Sequence, residues 1–177
     1  MIANIVAVLM MLAAIYFLGR PIVHGAIFFP TTTRNVEAMI ALASLHAGDR
    51  VVDLGSGDGR IVIACAERGI KADGYEINPI LVLLSRRAIR QAGVRDLAVI
   101  HWKSFWRADL AQFDVVFVYG IPYIMSDLRR KFERELKSGT RVVSHVFLIP
   151  QWIPAEDMGN IHLYKIPKSP RSARDGR

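Results

Sequence analysis

The sequence predicts an α/β domain built on a doubly wound, mostly parallel sheet, and three observations predict it. From Val51 onward, short apolar runs rich in Val and Ile alternate with longer helical patterns. Gly69, Gly93 and Gly139 fall just past the helical stretches, where a left-handed residue ends a helix. The first apolar run also opens into a glycine turn that starts a helix at once, a junction that lets backbone N–H groups approach a ligand.

The elements follow in order. Ile2 to Leu18 carries no charge, and Asn4 is its one strongly polar residue. Seventeen residues of helix span about 26 Å, the lower edge of what crosses a hydrocarbon core. Arg20-Pro21 ends the run, and Arg20 and Arg34 on its far side place the rest of the chain in the cytoplasm or a matrix. The expected organisation is a transmembrane anchor over 1–20, a juxtamembrane linker over 21–34, the globular domain over 35–166 and a basic disordered tail over 167–177. Thr33 or Asn35 is expected to cap a helix over Val36–His46. Strands are expected at Val51–Leu54, Ala72–Glu76, Leu97–His101, Val115–Tyr119 and Arg141–Phe147. Helices are expected at Gly59–Arg68, Pro79–Gln91 and Asp127–Lys137. A last strand at Ile161–Ile166 leaves the final hairpin incomplete.

At 177 residues there is room for one such domain. The apolar share is 52%, with the excess at the N-terminus, and the net charge of +7 favours an anionic partner: nucleic acid, acidic protein or anionic membrane. Arg86, Arg87 and Arg90 form one basic stretch. Arg129, Arg130, Lys131, Arg134 and Lys137 form another, but Asp127, Glu133 and Glu135 are interspersed, so a solvated helix face is the favoured reading and nucleic acid the disfavoured partner. Cys65 is the single cysteine, which excludes an internal disulfide, and its place on an apolar helix face marks a buried thiol. The five histidines share no ligand spacing, and no metal site is predicted.

The chemistry concentrates at strand ends, where an open parallel sheet holds its ligand. Asp53 precedes Gly55, Gly57 and Gly59, and Arg60 stands where a dinucleotide fingerprint needs its third glycine. Glu76 lies 23 residues after Asp53 (76 − 53), placed for both hydroxyls of a ribose to donate to one carboxylate. Asn78-Pro79 then caps and opens a helix. Ser104 stands where the methyltransferases that the glycine turn resembles border an adenine, with Trp102, Phe105 and Trp106 stacking on the base or packing in the core. Tyr119, Pro122 and Tyr123 follow the fourth strand, where the methyltransferases that the glycine turn resembles place the acceptor, and are the candidates for its channel; no side-chain amide or carboxylate stands beside them. That mouth suits a lysine ε-amine, which must lose its proton before attack. The loss costs about 4.6 kcal/mol at pH 7 for a pKa near 10.4, and desolvation among aromatic faces lowers it.

The turn with its preceding acid resembles the first motif of the Rossmann-like class I S-adenosylmethionine-dependent methyltransferases. Over roughly Phe28 to Tyr164 the chain resembles the membrane-anchored protein-lysine methyltransferases of the adenine nucleotide translocase and ATP synthase c-subunit, with their prokaryotic relatives. The blocks are Phe-Pro-Thr, Asp53 to Ala64, Gly74 to Pro79, Tyr119 to Pro122, Arg141 to Ser144, and Pro150 with Trp152 and Pro154. The resemblance implies S-adenosyl-L-methionine held by Asp53, Gly55, Gly57 and Glu76, within a wider cradle of Thr32, Leu54, Ser56, Gly59, Ile77, Asn78, Ser104, Phe105 and Tyr119. It also implies a protein partner, a lysine side chain often on a membrane-embedded protein. Ser104 departs from the acid the family tends to carry. A small-molecule, lipid or RNA acceptor, or a cofactor-binding module without turnover, stays open.

Overall fold

In the computed structural model the described residues are 31–120 and 122–167, with Ile5, Val8 and Met11 as isolated positions before them. The expected anchor over Ile2–Leu18 lies outside them, apart from those three, which are helical and exposed. The tail from 168 also lies outside. Among the described residues no helix is long and apolar enough to cross a membrane.

The elements run α1 (Thr33–Ala43), β1 (Arg50–Leu54), α2 (Arg60–Ala66), β2 (Lys71–Glu76), α3 (Pro79–Gln91) and β3 (Ala98–Trp102). A 3₁₀ turn (Phe105–Arg107) leads to β4 (Val115–Val118), α4 (Pro122–Glu135), β5 (Arg141–His145), β6 (Glu156–Met158) and β7 (Ile161–Lys165). The described strands form one sheet in the order β3-β2-β1-β4-β5-β7-β6. The first five are parallel, and β7 and β6 close the edge antiparallel. The strand order reverses between β1 and β4, where such a sheet opens a crevice at its carboxyl end.

Alternation along the strands divides the core. Val51, Val115, Phe117 and Val143 face the helices α1, α2 and α3, packing on Met39, Ile40, Val62 and Ile89. Val52, Leu54, Val116, Val118 and Val142 face the other way, onto Leu128 and Phe132 of α4. Strands covered on both faces read as continuous Val-rich runs, which is why they are visible in the sequence.

Several boundaries differ from expectation. Helix α1 begins at Thr33, inside the expected linker, because the Thr32 hydroxyl accepts from the Asn35 amide at 3.3 Å and caps it there. It ends at Ala43, where Ser44 turns left-handed at φ 48°. Helix α4 starts at Pro122 rather than Asp127, since the fixed φ of proline suits a first helical turn. Strand β6, three exposed residues without apolar alternation, completes a short final hairpin with β7.

The second basic stretch is only partly the solvated face expected of it. Arg129 pairs with Glu133, and Arg130 with Asp127, on the outside of α4. Lys131 instead is buried, with its ammonium donating to the carbonyls of Trp106 and Ala108 at 3.2 and 2.7 Å and to Glu135 at 2.6 Å. Lysine tolerates burial when all three protons find acceptors.

Candidate active site

The turn after β1 is held against the end of β2. The amides of Gly55 and Ser56 both donate to the Tyr75 carbonyl, at 2.9 and 3.0 Å. Gly55, Gly57 and Gly59 have φ of 87°, 54° and 82°, a left-handed run that side chains rarely adopt. Gly74 beneath the turn is needed for space, since a Cβ there would sit 2.6 Å from both Ser56 Oγ and Ile100 Cδ1. Ser56 thus points inward, its hydroxyl buried and unpartnered among the described residues. Leu54 closes the turn from beneath, in the core.

Glu76 joins this turn to the tip of β2. Its Oε2 accepts from the Gly57 amide at 3.0 Å, and its Oε1 accepts from the amides of Ile77 and Asn78 at 2.8 and 2.7 Å. A carboxylate offers about four acceptor sites, so one, on Oε2, is left for an incoming donor. Asn78 caps α3 as expected, accepting from the Ile80 amide at 3.0 Å.

Asp53 is buried on the α1/α2 side of the sheet, and among the described residues no donor reaches its carboxylate. Desolvation pushes its pKa up to about 8, with the charges of Glu76 and Asp58 adding to the rise. Two near carboxylates, one without a donor among the described residues, leave the crevice short of positive charge. That deficit, the open space a Cβ on Gly55 would find and the free acceptor on Glu76 fit a cationic nucleoside such as S-adenosylmethionine.

Asp58 and Arg60 form a clasp at the mouth. The Arg60 guanidinium donates to both Asp58 oxygens and to the Thr31 carbonyl, fastening the segment that enters α1 to the residues after the glycine turn. This pairing holds the Asp58 carboxyl below its ordinary range. Thr32 has its hydroxyl committed to capping α1.

At the third strand end the expected residues separate. Phe105 is buried in the α4-side core against Trp106, with ring centroids 4.9 Å apart, so it packs rather than presenting a face to a base. Ser104 precedes the 3₁₀ turn, and its side chain makes no capping hydrogen bond there. Trp102 is exposed, its indole N–H donating to the Ile77 carbonyl at 3.1 Å.

At the fourth strand end Tyr119 lies against His145 of β5, with centroids 4.6 Å apart, and 6.4 Å from Phe147. His145 Nε2 lies 3.2 Å from the Asn35 side-chain nitrogen of α1, while its Nδ1 is buried without a partner among the described residues. Burial, then His162, lowers the His145 pKa, so the ring is neutral near pH 7. Pro122 and Tyr123 do not join this cluster, because α4 begins at Pro122 and its first turn carries both side chains outward; Tyr123 is 63% exposed. Asn35 and His145 are functional candidates that the sequence does not single out, although the rule that draws attention to the other strand ends applies equally to Ser144-His145-Val146. A cavity of about 390 Å³ beside Ile40, Gly48 and Arg68 opens at the opposite end of the sheet, away from all these groups.

The chain is 38% identical over 149 residues to the Homo sapiens lysine N-methyltransferase named for the ATP synthase c-subunit, covering 81% of this chain and 64% of that protein. It thus spans less than two-thirds of that relative. A protein-lysine N-methyltransferase of Saccharolobus islandicus is 38% identical over 131 residues, covering 73% of this chain and 81% of that one. A crystal structure described as an RNA methyltransferase from Salinibacter ruber, in complex with S-adenosyl-L-homocysteine, superposes with a TM-score of 0.75 at 36% identity, covering 79% of this chain and 95% of that chain. The family described as the ANTKMT methyltransferase domain matches residues 53–156, and the chain belongs to it.

Proposed function

We propose that the chain is an S-adenosylmethionine-dependent protein-lysine N-methyltransferase working at a membrane, held there by a single span over residues 2–18 with the domain on the cytoplasmic or matrix side. What carries the acceptor assignment is the 38% identity, over most of the chain, to relatives named as lysine N-methyltransferases. The bound cofactor would supply an electrophilic methyl on a sulfonium.

The chain's own residues do the rest. Asp53 and Glu76 would hold the cationic end and the ribose, and the glycine turn would let the backbone approach them. Tyr119, His145 and Phe147 form an apolar wall beside that crevice, which desolvates an incoming ε-ammonium and lowers its pKa. A neutral His145 adds no competing charge there. Positioning then does most of the work of a direct displacement.

The description of the Salinibacter structure favours a second reading, an RNA acceptor. Incubating membranes and total RNA with methyl-labelled cofactor and this chain separates the two. Mass spectrometry of membrane proteins should show lysines gaining methyl increments only when the chain is present. Label in RNA, lipid or a small molecule instead, or cofactor binding without any product, would overturn the proposal.

A further inference from the structure

Helix α3 carries a surface that neither the fold nor the crevice uses. Ile80, Leu83 and Leu84 are 59%, 66% and 50% exposed, and their spacing sets them side by side. Trp102, 59% exposed, is pinned at the same end of the helix by its bond to the Ile77 carbonyl. Scattered exposed apolar residues are ordinary, but four adjoining ones form a patch. One turn further along stands Arg87, and then Arg90, both exposed. The helix contains no Asp or Glu, and among the described residues neither arginine has an ion-pair partner. On α4, by contrast, the outward arginines 129, 130 and 134 are each matched by an acid of the same helix.

We propose that this end of α3, with Trp102, is a docking surface for an anionic bilayer. A helical turn is about 5.4 Å, so when Leu83 and Leu84 reach the acyl boundary Arg87 lies near phosphate depth, within the ~5–10 Å an interfacial helix sinks. Guanidinium groups pair with phosphates in a bidentate fork, and an indole with one polar edge suits the same boundary. RNA would use the cations but leave the three aliphatic side chains without a purpose. The patch starts four residues past Glu76, on the carboxyl rim of the sheet, so docking turns the crevice towards lipid. The inference rests on this surface and is independent of which acceptor is methylated.

Site-directed spin labelling of the full chain tests it. In a Cys65→Ala background, one label is placed at Leu83→Cys and a control at Glu67→Cys on the opposite rim. Each is compared on vesicles of phosphatidylcholine alone and of phosphatidylcholine with phosphatidylserine. The Leu83 label should gain oxygen accessibility and lose accessibility to a water-soluble nickel chelate several-fold on the anionic vesicles. The control should not change, and Arg87→Gln with Arg90→Gln should abolish the difference. A Leu83 label that ignores anionic lipid overturns the proposal. So does one already shielded before vesicles are added, which would mean the leading segment covers the patch, or one that responds to RNA instead. Methyl transfer to detergent-solubilised protein by the same labelled chains tests the proposed function separately.

Discussion

The Oε2 of Glu76 lies 3.0 Å from the Gly57 amide, so the acid at the tip of β2 and the turn after β1 form one hydrogen-bonded unit. The group that would hold a ribose also holds the turn in shape. Pocket conformation and ligand affinity are therefore expected to fail together.

Glu76→Ala removes the acceptor from three backbone amides, each worth about 1–3 kcal/mol where it is left buried and unpaired. Cofactor binding measured by calorimetry should weaken by more than about 100-fold, and Glu76→Gln by roughly tenfold. Gly57→Arg, forced to φ 54°, should abolish binding. Undiminished affinity in any of the three would place the pocket elsewhere.

Asp53 provides a pH signature. Its pKa is about 8 folded against an ordinary 3.8, so the folded chain holds the extra proton between those values. Its contribution to stability accordingly falls as pH rises through that window and is lowest above about 8. Asp53→Asn should flatten the melting temperature's decline with pH and be more stable than the parent above pH 8. A cationic ligand beside Asp53 favours its charged form, so cofactor binding at pH 7 should release a proton, read from calorimetry in buffers of different ionisation enthalpy. Identical heats in all buffers would show that the cation does not approach Asp53.

His145 behaves in the opposite sense. Its pKa is lowered by burial and by His162, so the unfolded chain takes up protons first as pH falls below about 6.5 and stability drops. His145→Phe, which keeps a ring against Tyr119, should lessen that acid sensitivity in urea titrations near pH 5.5. An unchanged pH profile would mean that the imidazole is solvated.

Lys131→Met deletes one charge of a buried pair and strands the carbonyls of Trp106 and Ala108 beside Glu135. The expected loss is about 3 kcal/mol in urea unfolding. Adding Glu135→Leu should recover part of it. A neutral single variant would show that the pair contributes nothing.

The parallel core is legible because Val-rich strands covered on both faces leave continuous apolar runs, and because glycines mark the turns. Asp53 and Glu76 are legible from their distance in sequence. What cannot be read is how lone pairs are shared out: nothing in Gly-Tyr-Glu-Ile-Asn-Pro says that the backbone takes three of the four acceptor sites on Glu76. The Asn35–His145 contact joins residues 110 positions apart and leaves no local trace. Tyr123 projects outward because Pro122 opens α4, whereas in sequence that proline reads equally as the end of a loop. Lys131 escapes a reading of its charge pattern because periodicity cannot tell which lysine points inward.

Strand β6 ends the sheet with Glu156, Asp157 and Met158, all exposed. So short and acidic a margin offers little for a neighbour's backbone to zip onto, and two such margins repel. Copies of the chain meeting at that border would stay separate instead of polymerising.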